Sequence, residues 1–242
     1  MAQLQSITDS TAQWASQRQI ALVLTPETDS TNTDAKENAF QEAADCVLYL
    51  TAHQNAGRGR GQNTWLDTGS GESLLCTWSF HVPASPQAIT APRIGLAVFE
   101  AVSSAWPSLQ WSLKAPNDLF LEGLKVGGLL VESVSSGNQF RLLIGLGFNV
   151  LNHPRRFNEA NHLGNSLHDG LGEGEWFQFL DELRAQLIVG VHEAQNSTLS
   201  NINCLSLERA LNANPAKPFT VTKVSPQGDL LHSTGQKSWM DI

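Results

Sequence analysis

The chain has 242 residues, 41% hydrophobic and 16% charged, with 19 glycines and 10 prolines, a composition too apolar for a disordered chain and too aperiodic for a fibre. At roughly 150 residues per domain, it forms one large domain or one domain with a small appendage. Fifteen Lys and Arg against 23 Asp and Glu give a net charge of −8, which weighs against nonspecific binding to DNA or anionic lipid, because both require a basic surface.

Gln19 to Thr25 reads as a strand, and Asp29-Ser30-Thr31-Asn32 supplies cap-forming side chains to a helix-compatible run ending near Ala44. Cys46 to Ala52 is a second strand and Ser73 to Phe80 a third, with Leu74, Cys76, Trp78 and Phe80 on one face by period two. Pro92 to Ala105 carries Ile94, Val98, Ala101, Val102 and Ala105 at helical spacing, an amphipathic helix covering a sheet. Leu109, Trp111 and Leu113 then alternate, Asp118 to Leu121 follows, and Leu124 to Ser133 resumes after a two-residue Glu122-Gly123 break, the pattern of a strand and a tight hairpin. Gln139 to Val150 is the strongest strand signal and is expected at the sheet centre. Trp176, Phe179, Leu180, Leu183 and Leu187 predict a helix over Glu175 to about Val189. From about Asn212, two strand-like pieces joined by Ser225-Pro226-Gln227-Gly228 suit a small β appendage.

No stretch reaches the roughly 18 consecutive apolar residues of a membrane span, and residues 1–20 lack the charged and apolar regions of an export signal. Cys46, Cys76 and Cys204 form no CxxC pair and support neither a disulfide framework nor a zinc finger; a reducing, cytoplasmic setting is the simplest reading. The seven histidines show no HExxH-like spacing and there is no GxSxG elbow, so neither a protein-ligated metal nor a covalent serine enzyme is expected. Cys76, on an apolar strand face, reads as a packed thiol.

Chemistry concentrates in two places. The loop Gln54-Asn55-Ala56-Gly57-Arg58-Gly59-Arg60-Gly61-Gln62-Asn63-Thr64-Trp65 lies in a stretch, residues 46 to 66, without a single Asp or Glu. Its glycines let backbone N–H groups approach a ligand, its guanidiniums suit a carboxylate or phosphate, and Trp65 offers a stacking surface; a solvated, flexible loop has the same composition. Lys114-Ala115-Pro116-Asn117-Asp118 forms a polar corner before the hairpin, either a site or an Asx-type turn with an exposed ion pair. Lys125 precedes Gly127-Gly128, and Gly145, Gly147 and Asn149 sit in the later strand. A ligand lying across the sheet explains these bare positions together; bulges or tight packing explain them singly.

Taken in order and spacing, Ser30-Thr31-Asn32, QNAGRGRGQNTW from Gln54, KAPNDLFLEGLKVGGLLVE from Lys114 and IGLGFNV from Ile144 resemble biotin-protein ligases, over about residues 25 to 150. The resemblance implies an α+β fold, a mixed β-sheet flanked by helices of the class II synthetase-like kind. It implies a catalytic domain over residues 1–205 and a short β appendage over residues 206–242, similar to an abbreviated SH3-like domain. It further implies ATP-dependent activation of biotin to biotinyl-5′-AMP and transfer to a lysine of a biotin carboxyl carrier protein, with magnesium held mainly by the ATP phosphates.

Carried over motif by motif, Ser30, Thr31, Asn32, Gln54 and the Gly57, Arg58, Gly59, Arg60 backbone would contact the biotin head group, with Gly127, Gly128, Gly145 and Gly147 leaving it room. Arg60 and Lys125 would engage the carboxylate and α-phosphate, Lys125 being the first choice for stabilising the transition state. Arg58 and Lys114 would contact phosphate, Trp65, Asn117 and Asn149 the adenylate, and Asp118 would orient or deprotonate the carrier lysine. The glycine-rich loop would close over the adenylate and exclude water.

Three departures stand out. Gln62 and Asn63 replace the later glycine and arginine of the family's GRGRxGRxW, predicting leakage of the intermediate. Ala115 stands where an aromatic residue is common. The space before Gln19 does not fit a helix-turn-helix, so DNA binding is not expected. A lipoate- or octanoate-protein ligase and a non-catalytic biotin or nucleotide sensor are the competing readings, and a homodimer through sheet edges is compatible with the fold.

Overall fold

The apolar runs become strands in the computed structural model, which describes residues 4–154, 160–215 and 217–241. The elements are α1 (Ile7–Gln17), β1 (Ala21–Thr28), α2 (Thr31–Glu37), β2 (Cys46–Gln54), β3 (Ser73–Val82), α3 (Thr90–Ala105), β4 (Trp111–Lys114), β5 (Asp118–Leu121), β6 (Leu124–Ser136), β7 (Gln139–Asn149), α4 (Glu173–Glu193), α5 (Asn201–Asn212), β8 (Lys223–Val224), β9 (Leu230–His232) and β10 (Gly235–Lys237). They divide into two units, residues 1–85 with 126–180 and residues 86–125 with 181–242.

In the first unit the strand order is β1-β2-β3-β7-β6, with β1 parallel to β2 and the other pairs antiparallel. The sheet is therefore mixed, and β7 lies between β3 and β6, as the apolar run Gln139 to Val150 predicts. One face carries the aromatic core. Trp14 of α1 meets Trp78 edge-on at 6.2 Å, and Phe179 of α4 lies 5.9 Å from Phe148 and 5.0 Å from Trp176. Trp176 is fully buried because its Nε1 donates to Thr11 Oγ1 at 3.1 Å, removing the cost of an unpaired indole N–H. Each fully buried ring of this kind contributes on the order of 2–3 kcal/mol. On the other face α2 packs Ala35 against Val47, Tyr49 and Leu143.

In the second unit α3 and α5 accompany the β4–β5 hairpin, and β8, β9 and β10 form a small antiparallel sheet. Gly228 (φ +88°) closes the predicted Ser225–Gly228 turn, its N–H donating to Ser225 O at 2.9 Å. Arg93 on α3 is buried and paired with Glu193.

Two helices, α1 and α5, have no counterpart in the sequence reading. In α1 several positions facing inward are Thr8, Ser10 and Thr11 rather than large apolar residues, and in α5 Ile202 and Leu205 face outward. Both arrangements blur the apolar stripe by which an amphipathic helix is recognised. Helix α2 ends at Glu37, well short of Ala44.

Candidate active site

The loop after β2 is an ordered hairpin. Trp65 N–H donates to Gly57 O and Gly59 N–H to Asn63 O, both at 2.8 Å, and Arg58 bridges Thr64. Asn63 N–H closes the tip onto Arg60 O at 3.1 Å, with Gly61 in the left-handed region (φ +65°) that a side chain opposes. A Cβ on Gly57 would strike Trp65 O, so the close approach of the two hairpin strands requires glycine there. Asp67 anchors the base: its Oδ2 accepts from Gln54 N–H at 3.1 Å, and its Oδ1 meets His53 Nδ1 at 2.8 Å and accepts from Gly69 N–H at 2.6 Å.

The hairpin ends over the sheet face opposite the aromatic core. A Cβ on Gly147 would overlap the Trp65 indole, and one on Gly145 would overlap the Asn32 carboxamide. Both bare positions on β7 are thus filled by protein side chains. Gly128 pairs with Gly147 and shares its face, whereas Gly127 pairs with Phe148 and belongs to the core face. Asn149, two residues along from Gly147, donates from Nδ2 to Asn161 O at 3.2 Å. Among the described residues its Oδ1 and the Oγ of Ser73, its partner across β3, are buried without a hydrogen-bond partner.

At the start of α2, Ser30 is the N-cap residue but its hydroxyl makes no capping bond. Gln54 Oε1 accepts from Thr31 N–H at 2.9 Å and lies 3.3 Å from Thr31 Oγ1. Thr77 Oγ1 contacts Thr31 Oγ1 at 2.9 Å and Asn32 Oδ1 at 2.6 Å. Asn32 Nδ2 donates to Glu132 Oε2 at 2.9 Å and to Leu130 O at 3.2 Å. Arg58 forks onto the same carboxylate, with Nη1–Oε2 3.0 Å and Nη2–Oε1 2.8 Å. Burial works to raise the Glu132 carboxyl, but the bonds from Arg58 and Asn32 outweigh it and hold the group below its ordinary range.

Within the first unit, then, Thr31, Asn32, Gln54, Gly57, Arg58, Trp65, Gly145 and Gly147 are brought together. Arg60 sits at the hairpin tip, half-buried. Thr77, Asp67 and Glu132 complete this arrangement and escaped the sequence reading, although each left a signal. Thr77 lies on the β3 face opposite Trp78, Asp67 is the first acid after the acid-free stretch, and Glu132 is the first acid after the apolar Val126–Val131 run.

The second unit holds the other group. Lys114 and Asp118 are register partners across the β4–β5 turn, which contains a cis Ala115–Pro116 bond. Lys125 Nζ pairs with Asp118 Oδ1 at 2.7 Å, and Lys114 Nζ lies 5.9 Å from the centre of the Phe120 ring. Asn117, in the turn, is half-buried. Trp239 Nε1 donates to Pro116 O at 2.7 Å. Burial pushes the Cys76 thiol, back in the first unit, up to about 12, consistent with a packed side chain and not a nucleophile.

A family model described as the Biotin/lipoate A/B protein ligase family matches residues 24–149, just over half of the chain. The chain is 35% identical over 114 residues to the human "Biotin--protein ligase", covering 44% of this chain and 15% of that protein. It is 33% identical over 133 residues to the "Biotin--[acetyl-CoA-carboxylase] ligase" of Mycobacterium tuberculosis, covering 53% of this chain and 48% of that one. The matched stretch therefore spans less than half of either relative. The solved structure of the biotin protein ligase of Aquifex aeolicus in complex with biotin and ATP superposes with a TM-score of 0.68 at 22% identity, covering 90% of this chain and 94% of that one, a likeness of fold.

Proposed function

Because the chain belongs to the Biotin/lipoate A/B protein ligase family, we propose that it activates biotin with ATP to biotinyl-5′-AMP and transfers the biotinyl group to a lysine of a biotin carboxyl carrier domain. The observation that carries this reading is the family match over residues 24–149, which contains the first three motifs whole and the fourth through Asn149. The mycobacterial relative's name, which specifies acetyl-CoA carboxylase, supports a carboxylase carrier as acceptor. In the first step the biotin carboxylate attacks the α-phosphorus and pyrophosphate leaves. In the second the carrier amine attacks the acyl carbon and AMP leaves.

The roles follow the chemistry of the side chains. Two anions repel each other along the first reaction coordinate, and preorganised cations lower that cost. Lys125 and Arg60 are assigned to the carboxylate and α-phosphate, Lys114 to phosphate, and Asn117, Asn149 and Trp65 to the adenylate. Ser30, Thr31 and Gln54 are assigned to the ureido end, whose N–H and C=O groups require both donors and acceptors. Asp118, ion-paired to Lys125, is assigned to the incoming carrier amine. Magnesium is assigned to the triphosphate, since such hard cations often take few protein ligands.

The test is ATP–pyrophosphate exchange with magnesium and biotin, lipoate, octanoate or no acid in parallel. Exchange with biotin alone is expected. Exchange with lipoate would transfer the chain to the lipoate side of the family, and none with any acid would overturn the reading in favour of a sensor.

A further inference from the structure

Glu132 has no assigned role, yet it joins the hairpin and the start of α2 in the first unit. We propose that Glu132 is a positioning residue, a clasp that holds the Gly57–Trp65 hairpin through Arg58 and the start of α2 through Asn32. The clasp itself is a property of the chain; its effect on biotin rests on the reading above.

The geometry carries the argument. Arg58 and Glu132 meet in a two-bond fork, and a third bond to the same carboxylate comes from Asn32. An exposed ion pair alone contributes little, but a bidentate fork within a network is the exception. The side chain of Glu132 is 24% exposed and that of Arg58 is 40% exposed. The Asn32 carboxamide then has one orientation. Its Nδ2 donates to Leu130 O and Glu132 and its Oδ1 accepts from Thr77; reversal would set oxygen against two acceptors. The missing Cβ of Gly145 makes room for that carboxamide. Thr77 continues to Thr31, and Thr31 to Gln54. One connected set, Arg58–Glu132–Asn32–Thr77–Thr31–Gln54, therefore links the hairpin to the residues assigned to the head group.

Asn32 turns both amide N–H groups and one oxygen lone pair to the protein, and Arg58 turns one N–H of each terminal nitrogen to Glu132. Their contribution is to fix Thr31 and Gln54 and to keep the hairpin over the sheet. Loss of the clasp should consequently raise KM for biotin and speed the escape of the adenylate while leaving kcat for exchange nearly unchanged.

The experiment uses the full chain with Glu132→Ala, Glu132→Gln, Glu132→Asp and Arg58→Ala, each checked for folding by circular dichroism. The first readout needs no ligand: the rate of tryptic cleavage after Arg60. We expect it to rise about tenfold in Glu132→Ala and Arg58→Ala, the scale of a charge-assisted hydrogen bond, with the double variant no faster than either. Glu132→Gln keeps shape and one acceptor and should fall between; Glu132→Asp should restore part of the protection. The second readout is exchange kinetics, with KM for biotin raised about tenfold in Glu132→Ala and kcat within about threefold. Unchanged cleavage in both Glu132→Ala and Glu132→Gln would overturn the clasp, as would a loss confined to kcat. If Glu132→Ala fails to fold, the isosteric Glu132→Gln decides. Wild-type protein inactive with biotin would sink the substrate reading alone, since the cleavage readout stands without it.

Discussion

Trp239 Nε1 donates to the carbonyl of Pro116 at 2.7 Å, so the short helical turn Trp239–Asp241 holds the turn between Lys114 and Asp118. The indole is buried, with Gly95 of α3 beside it, and Asn214 Nδ2 reaches Leu113 O at 3.5 Å on the preceding residue pair. The tail is thus attached to the strand end at two points within the second unit. Trp239→Phe keeps an aromatic ring, though a smaller one, and removes the donor, leaving one acceptor short of a bond. The expected result is a rise in KM for ATP of about fivefold, equivalent to roughly 1 kcal/mol, with KM for biotin unchanged in exchange assays. An equal change in both constants would show that the contact does not act on the turn.

The Lys125–Asp118 pair at 2.7 Å joins two residues assigned to different half-reactions. Lys125→Ala removes the cation assigned to the first transition state and should lower exchange by at least about a hundredfold, on the scale of a lost oxyanion-type contact. Asp118→Asn keeps size and hydrogen bonding, so exchange should stay within about threefold while single-turnover transfer from preformed adenylate to carrier slows by about a hundredfold. Transfer at the wild-type rate would remove Asp118 from the second step.

Much of the fold was legible because the β7 run Gln139–Asn149 and the face Leu74, Cys76, Trp78 and Phe80 carry strong periodic signals. Helices α1 and α5 were hidden because Thr11 and Asn203 occupy buried positions while Ile202 is exposed. The glycines showed where the sheet is bare but not what fills it. A missing Cβ looks the same in sequence whether a ligand or the Trp65 indole lies there. The Arg58–Glu132 fork was illegible for a related reason: its partners are 74 residues apart, and an arginine in a glycine-rich loop gives no sign of an internal carboxylate.

Gly147→Ala tests the position of Trp65. The new methyl would overlap the indole, so the ring must leave the sheet or β7 must shift. Moving the ring is the easier response, because it belongs to a half-buried hairpin residue whereas β7 is paired on both sides. Stability should fall by about 1–3 kcal/mol, the usual cost of overpacking, and tryptophan fluorescence should shift toward that of a more exposed indole. Unchanged emission with the same loss of stability would mean that the strand moves instead.

Acid should loosen the first unit around two carboxyls. Ser70 is the largest influence lowering Glu72, helped by Asn152 and Thr68 and opposed by burial; at Glu132 burial is the largest influence and is outweighed by Arg58 and Asn32. Both groups thus have folded-state values below the ordinary 4.5. A depressed carboxyl contributes stability that is present above its unfolded value and lost as pH falls through its folded one. Thermal midpoints should therefore be flat with respect to these groups near neutrality and fall below about pH 4.5. Glu132→Gln should flatten part of that fall; an acid limb identical to wild type would show that Glu132 carries none of the linkage.

Asn63 offers a gain-of-function test, because its backbone and side chain have separate jobs. The backbone closes the hairpin tip, with O accepting from Gly59 N–H at 2.8 Å and N–H donating to Arg60 O at 3.1 Å, while the residue as a whole is exposed. A longer side chain is therefore compatible with the hairpin. Asn63→Arg restores the third guanidinium of the GRGRxGRxW pattern and adds a positive charge beside the place assigned to the adenylate phosphate. A charge-assisted bond on this scale predicts about tenfold slower release of biotinyl-5′-AMP, followed by trapping released adenylate after one turnover without carrier. Gln62→Gly alone should leave the release rate near wild type, since it adds no charge. If Asn63→Arg releases the intermediate as fast as the parent chain, the side chain at this position does not reach the phosphate, and retention must rest on Arg58, Arg60 and the hairpin that carries them.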